Sequence, residues 1–243
     1  MKPILFNGEM VRAILDGRKT MTRRVIKPRY RKNECGWSIC RRTIDNSIAY
    51  LTYTDEDGAS TRTLKPPYQA GDVLYVRETW NGMRTGNEKV GYHTTYWYKA
   101  DDTNDNPDDK WHPSIHMPKE AARIFLKVTD LRVERLQDIT IEEINNEGID
   151  VEPPAICKKE MPTQAELRAL EKATERQKEE YFSTLARHKY MGWCDYADNI
   201  FEKWKKLWDS TIPKNELDKC GWEANPFVWV IQFEQIEKPE QKG

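Results

Sequence analysis

The eight residues Gly17-Arg18-Lys19-Thr20-Met21-Thr22-Arg23-Arg24 gather four cations and two hydroxyls. A threonine hydroxyl attacks a carbonyl only when a neighbouring base takes its proton. Lysine can be that base once its pKa falls. Arg18, Arg23 and Arg24 push Lys19 that way by like-charge repulsion, whereas a helix end just before Gly17 pushes it upward. In a regular strand Lys19 and Thr22 face opposite sides, so the lysine must sit in a turn with its stem curling back toward the hydroxyl. Arg24 shares the Thr22 face, where it can hold a phosphate or an acyl oxygen. Poor leaving groups also need a proton donor. Glu147 ends a short helix, where the dipole disfavours a bare carboxylate. The plainer alternatives are that Thr20 and Thr22 are β-formers, that the cations coat a surface, and that Glu147 frays into solvent.

Several elements must position these groups. Residues 3–6 read as a strand and 7–16 as a helix, with Asn7 as N-cap, apolar Met10, Val11, Ile14 and Leu15 on one face, and Gly17 as the left-handed stop. Residues 20–26 return as a strand. From 27 to about 67 the pattern weakens to an insertion of low regularity, with a possible strand at 48–54 and an Asp57-Gly58 turn. Val73–Trp80 reads as a strand, 91–100 as β-prone, and 123–136 as a long strand or bent pair. Thr140 and Glu143 form a capping box, Ile139 and Ile144 a hydrophobic staple, and Gly148 a helix stop. Residues 150–162 read as a linker. A charged helix capped at Thr163 with Glu166 runs to about 190, and a second follows over 198–209. Phe227–Phe233 is apolar enough for a central strand.

The 243 residues suit one core with insertions, and 38% hydrophobic residues with 9 Trp and 11 Tyr suit a globular protein. No apolar run approaches a membrane span and the start lacks a signal-peptide pattern, so a cytoplasmic protein without a membrane partner is expected. Five scattered cysteines read as reduced structural thiols. Cys35/Cys40 and His112/His116 lack a second converging pair, and the Asp101–Asp109 run lacks the glycine and glutamate of a calcium loop. Neither a metal nor a cofactor is expected. The net charge of −1 hides a segregation: residues 1–42 carry +9, residues 134–152 carry −6. A basic end attracts phosphates, so a nucleoside, nucleotide or nucleic acid is the expected partner, RNA ahead of DNA.

The order of helix, Gly-Arg-Lys-Thr turn, strand, Gly-Asp-Val-Leu strand, long strand, acidic helix and aromatic closing strand resembles the ASCH domain. That is a small β-barrel relative of the PUA RNA-binding modules. Gly17, Lys19 and Arg24 fit the ASCH signature, while Thr22 stands in its glutamate place. The turn is instead similar to Gly-Arg-Lys-Thr-x-Thr-x-Arg of the bacterial N4-acetylcytidine amidohydrolases. The segments Arg-Glu-Thr-Trp and Trp-His-Pro-Ser-Ile-His-Met-Pro resemble longer prophage-encoded ASCH proteins. The resemblance implies an α+β fold, a PUA-like small mixed barrel flanked by helices, formed by about 3–26, 71–80, 123–149 and 199–236 within one domain. Insertions fall at 27–70, 81–122 and 150–198. It implies Lys19 as proton acceptor, Thr22 as nucleophile and Glu147 as proton donor, with Arg18, Thr20, Arg23 and Arg24 around the substrate. Three functions follow: hydrolysis of an N4-acyl cytidine, non-catalytic binding of nucleic acid or modified nucleotides with Trp37, Tyr96, Trp97 and Trp111 as stacking platforms, or a phage accessory or assembly role.

Overall fold

The computed structural model describes residues 1–26, 34–41, 49–55, 60–87, 91–102, 110–149 and 173–239. The chain begins with β1 (Lys2–Leu5), α1 (Gly8–Leu15) and β2 (Met21–Val25). Three strands follow, β3 (Glu34–Arg41), β4 (Ala49–Asp55) and β5 (Ser60–Leu64). Next come β6 (Val73–Arg77), β7 (Trp80–Asn87), β8 (Gly91–Tyr98) and β9 (Phe125–Arg135). The last elements are α2 (Ile141–Asn146), α3 (Glu175–Thr211), α4 (Leu217–Cys220) and β10 (Phe227–Ile236).

β10 organises the architecture, which is mixed α+β. The main sheet has the order β1-β6-β9-β10-β2, so the apolar closing strand lies between two partners. Its side chains alternate between two cores. Trp229, Ile231 and Phe233 join Phe6, Leu126 and Val133 on the face that α1 covers with Val11 and Ile14. Val228 and Val230 join Met21, Leu136 and Ile144 on the opposite face, under Ile200, Trp204 and Trp208 of α3. A strand covered on both faces needs the unbroken apolar run seen here. The hairpin of β7 and β8 packs on a third cluster of Met117, Ala121, Ala122 and Phe125. It is tied down by Glu78, which is buried and takes both oxygens to Arg123, whose guanidinium lies 3.9 Å from the Tyr98 ring centre.

Three sequence expectations need correction. The first concerns closure: the sheet is open, with β1 and β2 as its edges, rather than a closed barrel. Among the described residues a side chain spans that seam where a barrel would have a backbone ladder: Arg24 on β2 donates to the Leu5 carbonyl of β1 at 2.6 Å. The second concerns the region after 27, which is a regular antiparallel meander β3-β4-β5 and not irregular chain. Trp37 lies opposite Tyr53 and Ile39 opposite Leu51, an apolar alternation only a few residues long and broken by register shifts after Cys35 and Tyr53, which hides it from a periodicity reading. The Asp57-Gly58 turn, the linker and the Thr163 cap lie outside the described residues. Third, the two helices expected to end near 190 and begin at 198 are the single helix α3, capped by Thr174 and Gln177. Gly192 interrupts the pattern, but one glycine costs a helix only about 1 kcal/mol and does not end it.

Candidate active site

Local backbone chemistry brings the turn at Lys19 against the end of α2. α1 starts where the Asn7 side chain accepts from the Met10 amide, and stops at Gly17, whose φ of +73° is left-handed. The Arg18 and Lys19 amides both donate to the Ala13 carbonyl. Lys19 then pairs with Glu147 in an isolated antiparallel bridge, and the Thr20 amide donates to Asn146. α2 is fixed from its other end by the Thr140–Glu143 capping box and terminates at Glu147. Gly148 follows with φ +89°, and a Cβ there would lie 2.7 Å from the Ala13 Cβ and 3.1 Å from that of Lys19. Both conformation and space demand glycine. Gly148→Ala should therefore lower the stability by at least about 1 kcal/mol, read as a fall in denaturant midpoint, while Gly91→Ala, left-handed but open, isolates the backbone part.

The resulting pair is dry. Lys19 Nζ donates to Glu147 Oε2 at 2.7 Å and to its carbonyl at 2.8 Å, with the two side chains 0% and 2% exposed. Both hydrogen bonds of this amine, among the described residues, go to Glu147. The Phe6 ring centre is 5.6 Å from Nζ. Burial pushes the Lys19 pKa below that of an ordinary lysine. Glu147 opposes the shift, Arg24 and Arg23 add to it, and burial wins. The sequence left those opposing influences unresolved.

Strand register settles which groups share a face. Thr22 is opposite Ile231 and Arg24 opposite Trp229, so both belong to the α1 side with Phe6. Thr22 is 3% exposed, and its neighbours two residues either way lead to the bridge at one end and the seam at the other. Arg23, opposite Val230, points to the α3 side. Its fully buried guanidinium donates to Glu143 at 2.8 Å and to Glu134 and Glu147 Oε1 at 3.4 Å each. Arg132 closes the network by binding Glu134 and Glu143. Arg23 therefore braces Glu147 from behind and is not a surface cation. Its Nε is buried without a partner among the described residues. Arg132, Glu134 and the second role of Glu143 were missed by sequence reasoning. A signal existed, because Asp130, Arg132 and Glu134 alternate with Leu131 and Val133 along one strand.

Other expected site residues lie further out. Arg18 is exposed and donates to Gly148 and Asp16. Thr20 is exposed, and its backbone ties α2 to β10 through Asn146 and Phe233. Arg24 is held at the seam, its Cζ 5.2 Å from the Phe6 ring centre on the ring that also meets Lys19. Much of the basic end is spent internally: Lys2 pairs with Asp72 and Arg12 donates to the Ala100 carbonyl. Lys27, Arg29, Arg31, Lys32 and Arg42 lie outside the described residues, as do the side chains of Arg41 and Trp37. Of the expected stacking platforms, Tyr96 packs on Trp80 and bonds Glu120, and Trp111 lies under Lys99. Trp97 keeps an exposed face on the hairpin. Among the described residues no cluster of metal-ligating side chains forms, and no helix is long and apolar enough to cross a membrane.

Comparison of the chain with protein-family models, curated proteins and solved structures returned no match.

Proposed function

We propose that the protein hydrolyses an N4-acyl amide on a cytosine base, as an ASCH-like member of the PUA-like group would, with Thr22 as nucleophile, Lys19 as base and Glu147 as proton carrier. The observation that carries the reading is the buried Lys19–Glu147 contact, two bonds at 2.7 and 2.8 Å, with the buried Thr22 three residues on, on the face of the sheet that holds the Phe6 ring met by the Lys19 amine. A neutral lysine amine has two N–H donors and one lone pair. With both donors on Glu147, the lone pair is the position left to take a proton, and burial favours the neutral form.

In the first half-reaction the Thr22 hydroxyl proton passes to Lys19 while Oγ1 bonds to the acyl carbon. Collapse of the tetrahedral adduct breaks the C–N bond, and the proton moves through Glu147 to the departing cytosine N4. Water then attacks the acyl-threonine, giving its proton to the same pair, and the acid leaves as Thr22 recovers its hydrogen. Arg23 holds Glu147 in place throughout, at 3.4 Å from the oxygen that Lys19 does not use.

The expected result is release of acetate from N4-acetylcytidine. The rate should climb with pH through a value below the 10.5 of free lysine, because the active form is the deprotonated amine. A rate independent of pH from 6 to 10, or no acetate from several N4-acyl cytosines, would remove this reading.

A further inference from the structure

We infer that the open seam between β1 and β2 is a binding pocket for a phosphorylated nucleoside, so that the substrate of the proposed reaction is a nucleotide rather than a free nucleoside. This inference rests on the proposed hydrolysis for its chemistry and on the seam for its geometry. Where the two edge strands fail to pair, a cavity of about 460 Å³ opens, within the range of small-molecule sites. Ile4, Val25 and Trp229 give it an apolar, partly aromatic wall suited to a flat ring. Arg24, Lys65 and Tyr68 supply its polar groups.

Charge decides between ligands of that shape. No carboxylate lines the cavity among the described residues, whereas two cations do. Tyr68 is oriented by the bond from its hydroxyl to the Pro3 carbonyl at 2.8 Å. Among the described residues Arg24 spends one guanidinium nitrogen on Leu5, which leaves the rest of its donor fork for a ligand. A flat ring with an anionic group matches both halves of the pocket. Arg24 also connects the pocket to the candidate site, because it shares the face of Thr22 and its guanidinium and the Lys19 amine both meet the Phe6 ring. The buried threonine and lysine are closed to solvent, and the seam is the side of the sheet where no ladder must break to reach them.

The test is binding of cytidine 5′-monophosphate and of cytidine to the full chain at low salt, in the wild type and in Lys65→Ala, with turnover of N4-acetylcytidine and its 5′-monophosphate measured in parallel. A charged hydrogen bond of the usual strength predicts roughly tenfold or tighter binding of the phosphorylated form, weakened by salt, with the preference lost in Lys65→Ala. Equal affinity for the two ligands, or a preference that survives Lys65→Ala, overturns the pocket even if acetate is released. Phosphate-dependent binding without acetate release keeps the pocket and removes the hydrolase.

Discussion

Thr22→Val should give a protein that folds as the wild type does and releases no acetate. Valine keeps the shape and β-branching of threonine and lacks only the hydroxyl, on a side chain that is 3% exposed on a strand opposite Ile231. No protein partner is bonded to that hydroxyl among the described residues, so its removal leaves no buried donor or acceptor stranded and stability should change by less than about 1 kcal/mol. Loss of a nucleophile in a covalent mechanism costs on the order of 10⁴-fold or more in kcat. The pairing of an unchanged denaturant midpoint with absent turnover is the signature. Retention of a tenth of the wild-type rate would show that the attacking oxygen comes from elsewhere, most simply from water.

Lys19→Met should be costly to stability as well as to activity. Removing one member of a dry, hydrogen-bonded pair leaves the buried Glu147 carboxylate without its donor, which typically costs 3–5 kcal/mol. Arg23 at 3.4 Å still faces Glu147, so about 3 kcal/mol is the better expectation. The double substitution Lys19→Met with Glu147→Leu should recover much of the loss in urea unfolding and none of the turnover. If the double variant is no more stable than Lys19→Met, the pair is not the source of the effect. Stability also acquires a pH slope from this residue. Its pKa is lowered in the folded protein, so the unfolded chain holds the proton more tightly. The associated stability is fully present above 10.5 and is lost as pH falls through the folded value. Lys19→Met removes that slope.

The parts of the site set by local chemistry were legible in the sequence. Gly17 and Gly148 occupy left-handed positions, Thr140 and Glu143 cap α2 as their spacing requires, and Lys19 does lie in the turn. The proximity of Lys19 to Glu147 was expected from the family resemblance rather than from any spacing. The direction of the lysine stem was not readable, since the amine turns to Glu147 and its backbone carbonyl instead of the hydroxyl. Nor was the fate of Arg23, whose partners Glu134 and Glu143 come from β9 and α2. Cation density in one dimension looks the same whether the charges face water or buried carboxylates. The continuity of α3 escaped for a different reason: Gly192 is a buried residue in mid-helix, and a single glycine is a weak local propensity that context overrides.

The pairing of Thr22 with Ile231 joins positions about two hundred residues apart, and such distant partners meet late because loop closure is entropically slow. Refolding from denaturant should therefore show the β2–β10 ladder among the last amides to gain protection from hydrogen exchange. The candidate nucleophile would then be ordered only after both flanking layers are in place, so partially folded chains would carry no premature chemistry.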